Sequence, residues 1–247
     1  MIHYHGTPIS GSTAVAIDAL RGRHGMVSFS RPDQIGIVAE VCQSFCLDNG
    51  AFSEWKRGKP MDVAGYAAFV EEWRAHPGFD WCLIPDVVGG TEEENDALLD
   101  EWGLPGWMSV PVWHMHESLG RLDRLCHTYP RVALGSSGEW PDPGTKSWWD
   151  RMAQAMDAVC DDLGHPPAKL HGLRMLNPTI FSALPLSSAD STNVARSSGL
   201  DEHWKGPYTR NLGRRDRAYI LASRIESHAS ASRWTGRDEQ MNLELIG

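Results

Sequence analysis

No apolar run in this 247-residue sequence approaches the roughly 18 residues that a membrane-spanning helix requires. The N-terminus, Met1-Ile2-His3-Tyr4-His5, lacks the charged-then-apolar layout of a secretory leader, so the expected compartment is the cytoplasm and no membrane partner is expected. No glycine-rich phosphate fingerprint follows the first candidate strand, which counts against a dinucleotide-binding fold. Internal repeats, low-complexity stretches and linkers are also missing, and residues 1–247 read as one domain. Cysteine is scarce. There are five (Cys42, Cys46, Cys82, Cys126, Cys160), an odd number, most of them in apolar segments, so reduced buried thiols are expected rather than disulfides. Cys42 and Cys46 can share a helix face, but no second Cys/His pair stands near them to complete a zinc site. Positive charge is in deficit as well, and the formal net charge of −9 argues against a protein that adheres to nucleic acid over its whole surface. The deficit is uneven. Thr91 to Glu101 is acidic, whereas Lys205 to Arg217 carries Lys205, Arg210, Arg214, Arg215 and Arg217 against Asp216 alone. That run reads either as a solvated loop and helix start or as a local phosphate-binding edge.

What the sequence does have is a repeated pairing of short apolar strands with polar, chemically capable ends. The ends read His3-Tyr4-His5-Gly6, Val27-Ser28-Phe29-Ser30, Leu47-Asp48-Asn49-Gly50 and Ile84-Pro85-Asp86. They continue with Val112-Trp113-His114-Met115-His116, Leu134-Gly135-Ser136-Ser137, His171-Gly172-Leu173-Arg174 and Ser188-Ala189-Asp190-Ser191. Seven of the gaps between them can hold a helix. Expected helices run Thr13–Leu20, from Ile35 through Cys42, Val63–Arg74 capped by Asp62, and from a Thr91/Glu94 capping box to near Trp102. Others run Leu119–Tyr129, Lys146–Leu163 and from Asn177-Pro178 to before Pro185, with a last one from about Arg214 to Trp234. Regular β-then-α alternation demands a parallel sheet with right-handed crossovers. Eight such units predict an α/β fold, a single (β/α)8 TIM barrel whose strand C-terminal ends share one face, the face that holds the active site.

Three carboxylates, Asp48, Asp86 and Asp190, each follow an apolar strand. One such aspartate alone could simply cap the next helix. Three on one face suit glycosyl chemistry, in which one carboxylate attacks or stabilises the anomeric carbon and another manages protons. Glu139 is a fourth candidate, although Gly138-Glu139-Trp140-Pro141 also reads as a turn. His3, His5, His114, His116 and His171 are concentrated at the same ends, and with an aspartate they could bind a metal or simply hydrogen-bond backbone. Phe52, Trp55 and Trp113 lie beside the carboxylates and could stack on a planar heterocycle or pack in the core.

The strand ends also resemble a known family. Leu47-Asp48-Asn49-Gly50-Ala51-Phe52-Ser53 resembles the Asp-Ser-Gly-Gly-Phe-Gln motif of the tRNA-guanine transglycosylases, β/α barrels that exchange guanine for a 7-deazaguanine. Ile84-Pro85-Asp86 resembles that family's base-recognising aspartate segment, and Ala133 to Glu139 its Gly-Gly-Leu-Ala-Val-Gly-Glu loop. Leu170-His171-Gly172-Leu173 resembles its Leu-Met-Gly-Val strand. Ala189-Asp190-Ser191 with Arg196 resembles its Phe-Asp-Cys…Arg nucleophile segment. The order is preserved over roughly residues 45 to 197. The family's cysteine-rich zinc cluster is absent, since no cysteine follows Cys160, and the His114-Met115-His116-Glu117 region replaces its strand-five glutamine.

This compact pattern, lacking the zinc-binding subdomain, is most similar to phage-type relatives that insert 7-deazaguanines into DNA, which would place the protein in a host cytoplasm. The resemblance implies Asp190 as nucleophile and Asp48 as proton handler. It implies Asn49, Gly50, Phe52, Asp86, His114, His116, Gly135, Ser136, His171, Gly172 and Arg196 as substrate-binding residues. Nucleic acid (DNA before tRNA) and a 7-deazaguanine base are the expected partners, Arg210, Arg214, Arg215 and Arg217 the expected nucleic-acid contacts, and no metal or other cofactor is expected. The rival expectation is a metal-dependent barrel hydrolase using His3, His5, His114 and an aspartate, and a non-enzymatic nucleic-acid-binding module is the third.

Overall fold

The computed structural model describes residues 1–200 and 212–236, so Lys205 and Arg210 lie outside the described residues. Among the described residues there are nine strands: β1 (Ile2–Gly6), β2 (His24–Ser28), β3 (Ser44–Asp48), β4 (Phe79–Leu83), β5 (Ser109–Val110), β6 (Val112–His114), β7 (Arg131–Gly135), β8 (Lys169–Gly172) and β9 (Leu186–Ser191). All pair in parallel, in the order β5-β4-β3-β2-β1-β9-β8-β7-β6. The first and last strands of that order are consecutive in the chain, separated by Pro111 alone. The sheet is therefore a nearly closed parallel barrel. Pro111 accepts from Ala133 N at 2.9 Å but has no N–H of its own to give, which interrupts the ladder there.

The helices are α1 (Thr13–Leu20), α2 (Ile35–Val41), α3 (Ala51–Lys56), α4 (Val63–Trp73), α5 (Glu92–Glu101), α6 (Leu119–Thr128), α7 (Lys146–Val159), α8 (Pro178–Phe181), α9 (Asn193–Leu200) and α10 (Arg214–Glu226). Asp62 caps α4 by accepting from Gly65 N at 2.9 Å, and Thr91 with Glu94 forms the expected capping box on α5. Two helices end earlier than periodicity predicts. α7 stops at Val159 because Cys160 is extended and the Asp161 carboxylate gathers the N–H groups of Leu163 and His165 into a turn. α10 stops at Glu226, where the Arg224 carbonyl accepts from Ser227 Oγ at 2.7 Å instead of continuing the ladder. α3 and α9, directly after the strand ends of β3 and β9, are additional to the expected set.

Successive strand residues face opposite sides of a sheet, so a barrel strand feeds two cores. The outward set, including Val27, Leu47, Cys82, Val132 and Leu170, packs against Leu20, Val38, Tyr66, Leu122 and Met152 of the helices. The inward set is Tyr4, Met26, Cys46, Trp81, Leu83, Val110, Val112 and Ala133. Two one-residue irregularities reset this alternation. Phe45 and Cys46 of β3 pair with Phe79 and Trp81, which leaves Asp80 as an extra residue. Leu170 and His171 of β8 pair with Leu186 and Ser188, which leaves Ser187 extra, its hydroxyl donating to Leu170 O at 2.8 Å. A bulge of this kind re-aims every side chain beyond it. Leu186 and Ala189 face the helices, and Asp190, four residues after Leu186, faces the barrel interior.

Candidate active site

The inward positions nearest the C-terminal ends are two residues beyond inward core residues: Asp48 follows Cys46, His114 follows Val112, and Asp190 follows Ser188. They open into a cavity of about 410 Å³ over the strand ends. Asp48, Asn49, Phe52, Asp86, His114, Gly135, Ser136, Asp190 and Arg196 line it, so the three strand-end carboxylates share one chamber.

On the β3–β4 side, Asn49 organises Asp86. Its amide nitrogen donates to Ile84 O at 2.7 Å and to Asp86 Oδ1 at 2.6 Å, and its carbonyl accepts from Ala51 N at 2.9 Å. Both amide hydrogens are thereby spent. Asp86 Oδ2 lies 2.8 Å from His114 Nε2. Burial opposes charge on His114, but the hydrogen bond and charge of Asp86, helped by Glu117, outweigh it and raise the imidazole pKa above its ordinary value. Glu117 is itself buried. It accepts from His114 N at 2.8 Å, Asn95 Nδ2 at 2.9 Å and Arg121 Nη1 at 2.7 Å, fixing the end of β6. Gly135 leaves room beside this ring: a Cβ there would stand 3.2 Å from His114 Nδ1, closer than ordinary van der Waals contact.

Asp48 is half-buried at the end of β3. Burial, together with the charges of Asp190 and Asp86, pushes its pKa up to about 6, against hydrogen bonds from Ser28 and the Gly50 backbone. Gly50 adopts φ +81° as the chain turns from β3 into α3, and a Cβ there would meet Ser30 at 3.0 Å.

Asp190 Oδ1 accepts from Arg174 N at 2.9 Å, and His171 Nε2 lies 3.4 Å from the same oxygen without a formed hydrogen bond. His171 is fully buried, and burial, outweighing the pull of Asp190, lowers its pKa. The ring is therefore neutral, with one proton to place. Ser188 Oγ lies 2.9 Å from Nδ1. If Nδ1 carried the proton, the bare Nε2 lone pair would face a carboxylate. A proton on Nε2 lets Ser188 donate to Nδ1 and aims a donor at Asp190. Asp190 Oδ2 makes no hydrogen bond to a described residue and is the free oxygen of the pair.

Arg174 closes the strand-end string of β8, yet nothing in its residue type marks it as a site residue. It is a non-glycine residue at φ +60°, a conformation that costs energy and recurs at functional sites. Its backbone N–H holds Asp190, its guanidinium donates to Ser136 O at 3.1 Å, and Cζ sits 4.3 Å from the centre of the Phe52 ring. One residue thus links the position of the Asp190 carboxylate to the aromatic wall.

Several candidates lie elsewhere. His3 and His5 occupy outward positions of β1, where His3 Nε2 meets His228 O at 3.0 Å and His5 Nε2 meets Glu226 Oε1 at 2.9 Å. Period-two geometry with Tyr4 inward turns both away from the cavity. His116 is half-buried behind His114, bonded to Ser137 Oγ at 2.8 Å and Gly90 O at 2.9 Å. Trp113 is buried in the sheet–helix core and donates to Ser118 O at 3.0 Å. Gly172 is packed on Met175, and Glu139 is exposed outside the cavity lining. Arg215 pairs with Asp18 of α1, and Arg217 donates to Leu212 O at 3.0 Å. Among the described residues, no group of three or more His, Cys, Asp or Glu is arranged to hold a metal ion, and no helix is long and apolar enough to cross a membrane.

Comparison with known proteins finds no matching family model, no similar curated protein and no similar solved structure.

Proposed function

We propose that the protein is a guanine transglycosylase that exchanges a guanine of nucleic acid, DNA in preference to tRNA, for a 7-deazaguanine. The observation that carries this reading is the convergence of Asp48 and Asp190 on one chamber, in environments that suit different tasks. Counting β5 and β6 as one stave broken by Pro111 gives the eight staves of a TIM barrel, with the chamber on the face where such barrels hold their chemistry.

In this reading the free Oδ2 of Asp190 attacks C1′ of the target nucleotide as the C1′–N9 bond breaks, giving a covalent glycosyl ester. Oδ1 stays fixed by the Arg174 N–H. Asp48, with a pKa of about 6, supplies the proton that the departing guanine takes up. Its carboxylate then removes the N9 proton of the incoming 7-deazaguanine, whose N9 attacks C1′ and releases Asp190. The proton inventory closes, and Asp48 ends as it began. Asn49, with both amide hydrogens committed, positions Asp86. Asp86 retains lone pairs for the base edge, and His114 Nδ1, which makes no hydrogen bond to a described residue, offers a second polar atom.

The test is incubation of the full chain with labelled guanine and either DNA, offered both single-stranded and as duplex, or tRNA, followed by denaturing gel electrophoresis. Label incorporated into DNA, with a transient protein–nucleic acid adduct, is the expected result. No incorporation into either substrate overturns the reading.

A further inference from the structure

The chamber wall does not end at the chamber. Phe52 lines the cavity, and one turn further along α3 Trp55 stacks on it, ring centroids 5.8 Å apart at 29°. Trp55 is 54% exposed, a large apolar face left in water with its indole nitrogen beside Gly89 of the loop after β4. Tryptophan side chains are highly buried on average.

The segment that follows Trp55 is positive on a chain whose net charge is −9, although the acidic first turn of α5 begins beyond Gly90. The sequence continues Lys56-Arg57-Gly58-Lys59, all exposed, against Glu54 alone, which Arg57 neutralises at 2.6 Å. Lys56 Nζ sits 4.5 Å from the centre of the Phe52 ring, and neither Lys56 nor Lys59 pairs with a carboxylate among the described residues. By contrast, Arg215 of the C-terminal basic segment is already engaged by Asp18.

We infer that α3 and the Lys56–Lys59 turn form a platform for single-stranded nucleic acid, on which the unpaired base next to the reacting nucleotide stacks against Trp55 while Lys56 and Lys59 take the adjoining phosphates. Exposed aromatic faces interleaved with unpaired cations are the arrangement that binds single strands without reading sequence. A duplex has no free base face to offer Trp55. The Phe52–Trp55 stack runs from solvent into the chamber, so a strand lying on it delivers its next nucleotide to Asp190 and Asp48. This inference rests on the nucleic-acid reading above and specifies the form of that substrate.

The experiment measures affinity by fluorescence anisotropy for an end-labelled single-stranded oligonucleotide and for the same sequence as duplex, across a salt series. Wild type is expected to prefer the single strand. Trp55→Ala should weaken single-strand binding about tenfold, with Trp55→Phe restoring most of it. Lys56→Gln with Lys59→Gln should flatten the slope of log affinity against log salt by about 1.4, near 0.7 per cation lost. Circular dichroism checks that each variant is folded; Trp55 is a surface residue.

Unchanged single-strand affinity in Trp55→Ala, or a larger loss in Arg214→Glu/Arg215→Glu than in the lysine pair, overturns the platform. If wild type forms the Asp190 adduct while Trp55→Ala binds normally, the platform alone falls. If wild type binds neither form of nucleic acid, the transglycosylase reading falls with it.

Discussion

The upper and lower halves of the barrel interior bury similar chemistry and treat it in opposite ways. Below, Tyr4 donates to Asp80, Trp81 Nε1 donates to Tyr4 Oη at 3.2 Å, and Arg131 lies over Trp81 at 5.2 Å and 3.8 Å from Asp80. This network is polar but closed. Above, Asp190 keeps a free oxygen, His171 Nε2 is buried without a formed hydrogen bond, and Asp48 is held near a pKa of 6 by burial and two neighbouring carboxylates. Buried polar groups are almost always satisfied where a structure needs only to be stable, and the open half is the one to which the proposed chemistry is assigned. The lower half should answer to stability measurements and the upper half to activity.

The largest effect expected is from Asp190→Asn. The amide can still accept from Arg174 N, so the fold should persist, while adduct formation and exchange fall by about a thousandfold or more, roughly 4 kcal/mol of barrier. Near-normal turnover by a folded variant would abolish the distinction between the halves. Asp80→Ala should do the reverse. It strands the Tyr4 hydroxyl and removes the partner of Arg131, costing about 2 kcal/mol in denaturant unfolding, with adduct formation per folded molecule nearly unchanged.

Asp48→Asn should lower exchange about a hundredfold while still allowing some glycosyl adduct, and it should also stabilise the protein at pH 8. The native carboxyl binds its proton more tightly than the unfolded one, so wild-type stability falls as pH rises from about 3.8 to about 6. The variant escapes that loss, worth about 1–3 kcal/mol. Thermal unfolding at pH 3 and pH 8 checks this, the two proteins converging at the lower value. A constant difference at both pH values would mean that Asp48 is not held in a charge-averse site.

The smallest effect expected is from Ser188→Ala. It removes the hydroxyl that keeps His171 Nδ1 unprotonated and should slow adduct formation by no more than tenfold, about 1 kcal/mol. The nitrogen shifts of His171 in a labelled sample would report the change of tautomer directly.

Much of this was legible in the sequence, and the residues that were not share one cause. All eight strand-end segments and the three aspartates stand out because an apolar run followed by a polar cluster needs no knowledge of which way a side chain faces. His3, His5 and Trp113 do need that knowledge. They sit at strand ends like Asp48 but on the alternate face, and the phase is fixed by packing partners such as Glu226 and Ser118 that lie far along the chain or around a turn. Arg174 escaped because its contribution comes through a backbone N–H and a left-handed φ, neither of which a residue type announces. The early ends of α7 and α10 come from local side-chain and backbone competition that outweighs apolar periodicity.

The extra residue at Ser187 makes the parity of β9 part of the site. Leu186 and Asp190 are an even number of positions apart, and an unbroken strand would give both to the helices or both to the chamber. One added residue lets an oily outward position and a chamber carboxylate occupy the same short strand without compromise to either. Chain length at this point is therefore as consequential as residue identity. Were β9 to keep every residue and run on from Leu186 in unbroken alternation, the chamber would receive Ala189 and Ser191, and the Asp190 carboxylate would face the helices.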